Sequence, residues 1–83
     1  MSYDEELRGR QLRIGTKQTT KAVELGAAAK VFVAKDADPK LTSKIVSLAK
    51  KMGVEVAYVD SMKLLGKACG IEVGAAMAAI VNE

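Results

Sequence analysis

At 83 residues there is room for one domain with a thin core, spanning residues 1–83, and a multidomain assembly is excluded. Hydrophobic residues make up 49% of the chain but aromatic ones only 4%, so the core must be aliphatic, and a lone Cys69 without any His excludes an internal disulfide and a Cys/His zinc site. The net charge of +3 is unevenly spread: Leu7 to Val23 carries Arg8, Arg10, Arg13, Lys17 and Lys21 with no acid, which leaves the remainder slightly acidic and fits either a polyanionic partner or a solvated basic face with none.

In chain order, Ser2 with Glu5 three residues later forms a capping box and predicts a helix from Tyr3 to about Gln11. A short extended piece, Leu12 to Ile14, leads to Gly15. Thr16 is then the expected cap of a helix from Lys17 to Leu25, closed by Gly26. Val31-Phe32-Val33-Ala34 reads as a buried strand. Asp38-Pro39 opens the next helix, with Asp38 as N-cap and Pro39 at the first helical position, where a missing N–H is harmless. Leu41, Ile45, Leu48, Ala49 and Met52 form its expected apolar stripe, Gly53 ends it, and Lys40, Lys44, Lys50 and Lys51 read as a solvated face. A strand follows over Val54 to Val59. Ser61 caps a short helix from Met62 to about Ala68, ending near Gly70. Ile71-Glu72-Val73-Gly74 reads as a loop, and Ala75 to Val81 as a last central strand despite alanine's weak strand preference. This order implies an α/β chain folded as a three-layer α/β/α sandwich.

Catalytic chemistry is poorly served. His, the commonest general base and metal ligand, is absent, and Cys69 has no activating partner beyond Lys67. Asp36 and Asp38 make a carboxylate pair, but Asp38 is already assigned to a cap. Gly66, Gly70 and Gly74 match no nucleotide-binding fingerprint and read as turns and close packing. A non-enzyme without cofactor or metal is expected. The polar, acidic residues 1–6 do not resemble a signal peptide, and Ala75 to Val81 is too short to span a bilayer, so a cytoplasmic location away from membrane is expected.

The segment Gly15-Thr16-Lys17-Gln18-Thr19-Thr20-Lys21 holds the candidate binding chemistry, the alternative being an ordinary Thr-capped surface helix. Glycine lets a partner approach the backbone closely, and the amides that open a helix suit a phosphate. Lys17 and Lys21 share a helix face, while Gln18 and the hydroxyls of Thr16, Thr19 and Thr20 add hydrogen-bonding groups. A second feature is Ile71-Glu72-Val73, with two large apolar residues between glycines. Either the loop folds inward as core, or Ile71 and Val73 present an apolar surface to an unstacked base.

Three blocks, Gly15 to Lys21, Ala34-Lys35-Asp36-Ala37-Asp38-Pro39, and Leu65-Gly66-Lys67-Ala68-Cys69-Gly70-Ile71-Glu72-Val73, resemble the kink-turn-binding ribosomal-protein family of the L-seven-Ae type, in its compact bacterial form. The resemblance implies an α/β/α sandwich with a four-stranded mixed sheet; a monomer is expected separately, because no exposed apolar stripe in the sequence demands a partner. The resemblance also implies that the partner is kink-turn RNA, ribosomal or regulatory, in which tandem sheared G·A pairs bend the duplex and open a groove that ordinary A-form RNA hides. By that resemblance Lys17, Gln18 and Lys21 meet the G·A pairs and nearby backbone, and Ile71, Glu72 and Val73 pack on the bulged nucleotides, while Gly15, Thr16 and Thr20 are RNA-binding candidates from the chemistry of the same segment. Many members have Asn-Glu where this chain has Lys17-Gln18. The alternative is a ribosome-associated structural protein with mainly protein contacts.

Overall fold

A computed structural model describes residue 7 and residues 9–82 of the chain. Strand β1 (Leu12–Ile14), helix α1 (Thr16–Glu24), β2 (Ala28–Ala34), α2 (Pro39–Lys51), β3 (Glu55–Val59), α3 (Met62–Cys69) and β4 (Met77–Val81) follow in order. The capping box at Ser2 and most of the helix expected over Tyr3–Gln11 lie outside the described residues. Leu7 is helical, but Gly9 and Arg10 already form a turn, so the helix does not extend to Gln11.

The four strands make one mixed sheet in the order β1-β4-β2-β3. β4 runs antiparallel to both neighbours, whereas β2 and β3 are parallel. Helices α1 and α2 cover one face through Ala22, Val23, Ile45 and Ala49, packed on Val31, Val33, Met77 and Ala79. Helix α3 and Leu7 cover the other, where Leu65 meets Phe32, Val59, Ala78 and Ile80. This is the expected three-layer α/β/α sandwich.

β4 shows how the core overrides local propensity. All five of its residues are buried, because it has strands on both sides and helices on both faces. In that setting alanine's weak strand preference matters less than its size, which lets the layers approach. β2 starts earlier than expected, at Ala28 rather than Val31. The pairs Ala28↔Val81 and Lys30↔Ile80 leave Ala29 as an extra residue, a bulge that puts Ala28 and Val31 on the same face although they are three residues apart.

The helix ends follow from side-chain chemistry. Asp38 Oδ1 accepts from the Lys40 amide at 2.9 Å, and Ser61 Oγ accepts from the Leu64 amide at 3.1 Å, both as expected. Thr16 is not a cap: Gly15 occupies the N-cap position and Thr16 is the first helical residue. The expected apolar stripe of α2 is narrower in fact. Ile45 and Ala49 are buried, but Leu41 and Met52 at the two ends are exposed, since the sheet underlies only the middle of the helix.

Thr19 is fully buried and donates its hydroxyl to the Arg13 carbonyl at 3.2 Å, which ties α1 to β1. Thr19→Val keeps the shape, removes the donor and leaves that carbonyl with one partner fewer. A loss of about 1–2 kcal/mol is expected, read as a lower urea midpoint with an unchanged slope.

Candidate nucleic-acid interface

Because β1 and β2 point the same way and β4 runs against both, the exits of β1, β2 and β3 gather at one end of the sheet, beside the entry to β4. Gly15, the Lys35–Asp38 turn, Ser61 and the segment before Met77 therefore meet there. Backbone bonds stitch them together: Gly15 N–H donates to Met77 O at 3.0 Å, and Ala34 N–H to Ala76 O at 2.9 Å. All three described helices begin at this end.

Their N-termini are not equivalent. α2 and α3 have side-chain caps, and α3 has a second acceptor, because the Asp36 carboxylate takes the Met62 amide at 2.8 Å across 26 residues of sequence. The carboxylate pair Asp36 and Asp38 thus serves two different helix starts. α1 has no side-chain cap and no acid in its first turn. Gly15 holds φ +97° and ψ 164°, a region open essentially to glycine alone. The first-turn amides of α1 keep their partial positive charge available to an anion.

Around this helix start, Lys17, Gln18 and Lys21 are exposed, whereas Thr16 and Thr20 are half-buried. Thr19, one of three hydroxyls read as available from sequence, is consumed in the core. Arg13 joins the same surface. It points to the α1 side of the sheet while Leu12 and Ile14 point to the other, and with Gln11, Gln18, Lys21 and Asn82 it lines a groove of about 320 Å³. The available signal was its position in the cationic run, between two apolar residues of opposite strand parity.

In the 71–73 loop the two readings divide between the residues. Ile71 is half-buried and packs with the Phe32–Leu65 cluster, so it folds inward. Val73 is 70% exposed and Glu72 is exposed. The loop doubles back along α3: Ile71 N–H donates to Gly66 O at 3.0 Å, and Ala75 N–H to Met62 O at 3.0 Å. Gly66 lies so near the Val73 carbonyl that any Cβ there would collide with it, and a Cβ on Gly74 would meet Met62 Cβ at 3.2 Å. These glycines permit the close approach that holds Val73 outward. Cys69 is half-buried against the same cluster, and burial pushes its thiol up from its ordinary value, in keeping with a packing role.

With this geometry in hand, the sequence model of the ribosomal protein L7Ae/L30e/S12e/Gadd45 family matches residues 3–83. The chain belongs to that family. Among its L7Ae-type relatives, an RNA-binding protein of Bacillus pumilus is 54% identical over 81 residues, covering 98% of this chain and 99% of the relative. A second, from Geobacillus sp., also called an RNA-binding protein, is 51% identical over 82 residues, covering 99% of this chain and all of the relative. Among solved structures, the Giardia lamblia 15.5kD RNA binding protein superposes with a TM-score of 0.85 at 26% identity, covering 98% of this chain and 68% of that one. No helix among the described residues of this L7Ae-family chain is long and apolar enough to cross a membrane.

Gly66→Ala tests the loop contact by its sign. Alanine in a helix interior ordinarily stabilises by up to about 1 kcal/mol over glycine, but here the collision with Val73 should destabilise by about 1–3 kcal/mol, seen as a lowered thermal midpoint. Gly15→Ala has open space for its Cβ, so its expected cost of about 1–3 kcal/mol comes from backbone strain alone.

Proposed function

We propose that residues 1–83 act as one cytoplasmic, monomeric RNA-binding domain that recognises and stabilises kink-turn RNA by binding rather than by catalysis. The observation that carries this reading is the uncapped start of α1. Its free amides, at a glycine with no side chain, sit among exposed Lys17, Gln18 and Lys21, at the end of the sheet that also carries exposed Val73. The RNA-binding names of the relatives and of the Giardia structure support the choice of polymer.

In this reading, the helix start enters the groove opened by the kink, and the amides after Gly15 take a phosphate. Lys17 and Gln18 reach the edges of the sheared G·A pairs: lysine donates to guanine O6 or N7, and the glutamine amide oxygen accepts from guanine N1–H and N2–H. Lys21, one turn on, meets the backbone, and Thr16 and Thr20 support the same strand. Val73 packs on a bulged base while Ile71 anchors the loop from inside and Glu72 faces the same nucleotides. Positioning by backbone contacts is separate here from readout by base edges. The physiological RNA is ribosomal or a regulatory messenger element.

A gel-shift titration compares a short kink-turn RNA with the same duplex whose G·A pairs are replaced by Watson–Crick pairs. Tight binding to the first alone is expected. Equal, salt-sensitive binding to both would reduce the protein to a general cationic RNA binder, and binding to neither would favour a ribosome-associated structural role. Neutralising Lys17 and Lys21 with Gln should weaken kink-turn binding and lower the salt slope by about 1 per lysine. Lys17→Asn with Gln18→Glu should keep binding, alter the preference among kink-turns and flatten the salt slope; unchanged selectivity and slope would sink that assignment.

A further inference from the structure

We infer that the outer face of α2 is a second RNA-contact surface, which holds an unpaired RNA segment with its phosphates along Lys40, Lys44 and Lys51 and a base on the ring of Tyr58. The inference rests on the reading that this chain binds RNA. At about 100° per residue, Lys40, Lys44, Ser47 and Lys51 fall within roughly 60° of one another round the helix. Ile45 and Ala49, which bury α2 in the core, lie roughly opposite. The three lysines are exposed and form a cationic stripe about 17 Å long.

Lys51 stands in the last turn, where a cation suits the helix dipole, but the rest of the stripe does not help the helix that carries it. α2 contains no acidic residue from Pro39 to Lys51. Lys40 and Lys44 are like charges at i and i+4, and Lys40 stands in the first turn, at the positive end of the helix dipole; both arrangements are unfavourable. Among the described residues the ion pairs are Lys30–Glu55 and Lys35–Asp60, and none of the three lysines has a carboxylate partner. A polyanion would offset this repulsion.

Tyr58 identifies the polyanion. It stands on the edge strand β3, 49% exposed, and with Ser43 and Ser47 lines an open groove of about 270 Å³ beside the stripe. An exposed aromatic ring next to a row of cations matches single-stranded nucleic acid, whose bases each offer a π-face. An acidic protein segment would use the lysines but leave the ring without a role, and paired RNA keeps its bases stacked inside. The stripe also starts at the site end of the sheet, since α1 and α2 pack side by side on one face and both begin there. One RNA can therefore leave α1 and continue along α2.

The full chain is titrated with a kink-turn hairpin with and without an unpaired oligouridine tail of about ten nucleotides, and with the tail alone. The tail should tighten binding about tenfold. Tyr58→Ala, and separately the Lys40→Gln, Lys44→Gln, Lys51→Gln triple variant, should abolish that gain without changing affinity for the tail-less hairpin. The triple variant should also lower the salt slope of the tailed complex by about 2. Tyr58→Phe, which keeps the ring, should retain the gain, and circular dichroism melts verify that each variant folds. No gain in the wild type, or a gain that survives in both variants, overturns the inference, as does poly-glutamate binding to this face without any tail gain. If the hairpin fails to bind but the tail binds wild type and not the variants, the kink-turn reading fails while this surface stands.

Discussion

The placement of β4 between β1 and β2 is the constraint on which the rest depends. A strand with neighbours on both edges and helices on both faces can be built only from residues that tolerate complete burial, and Met77-Ala78-Ala79-Ile80-Val81 meets that demand with small and aliphatic side chains. Its antiparallel run against both neighbours brings the exits of β1 and β2 to the place where β4 begins. The bonds from Gly15 to Met77 and from Ala34 to Ala76 then lock the glycine turn and the 71–76 segment into one surface.

The chemistry of that surface comes from how acceptors are distributed among the three described helix starts. Asp38 and Ser61 cap their own helices, and Asp36 reaches from the β2–α2 turn to the first amide of α3. These acceptors quench two of the three positive helix ends. α1, started by a glycine and followed by Lys17, keeps its potential for an outside anion. Thr19, turned into the core, ties that helix to β1 close to the free end. A helix start tethered in this way loses less conformational entropy on binding than a loose one.

On the far side of α2 the same economy of acids produces a different result. This helix has no carboxylate and its lysines lack ion-pair partners among the described residues, so the like-charged Lys40 and Lys44, one turn apart, cost it tenths of a kcal/mol. Surface charge of one sign steers and retains a polyanion, and an aromatic ring beside it supplies contact area that salt does not screen. Together α1 and α2, parallel on one face of the sheet, offer a polymer a path longer than either site alone.

Much of this was legible in the residues themselves. The Asp38-Pro39 and Ser61 helix starts and the glycine helix stops follow from local chemistry and apolar periodicity, which act over a few residues, and the alternation of helices and strands implies the three-layer architecture. The candidate surface around Lys17, Gln18 and Lys21 was legible too, as a cationic segment behind a glycine. Other features depended on partners distant in sequence. The bulge at Ala29 is set by the register with β4, the burial of Thr19 by the position of β1, and the capping of α3 by Asp36 by a contact across 26 residues. Likewise, the division between inward Ile71 and outward Val73 is decided by how closely the loop backbone lies on Gly66. The sequence by itself determined which segments become helices or strands and how Asp38, Ser61 and the glycines bound the helices, because those choices are local. Strand ends such as Ala28 and Met77 are instead set by pairing with distant residues. Only the tertiary structure decided which polar groups are consumed in packing and which stay free for a partner, because burial depends on what the rest of the chain brings alongside.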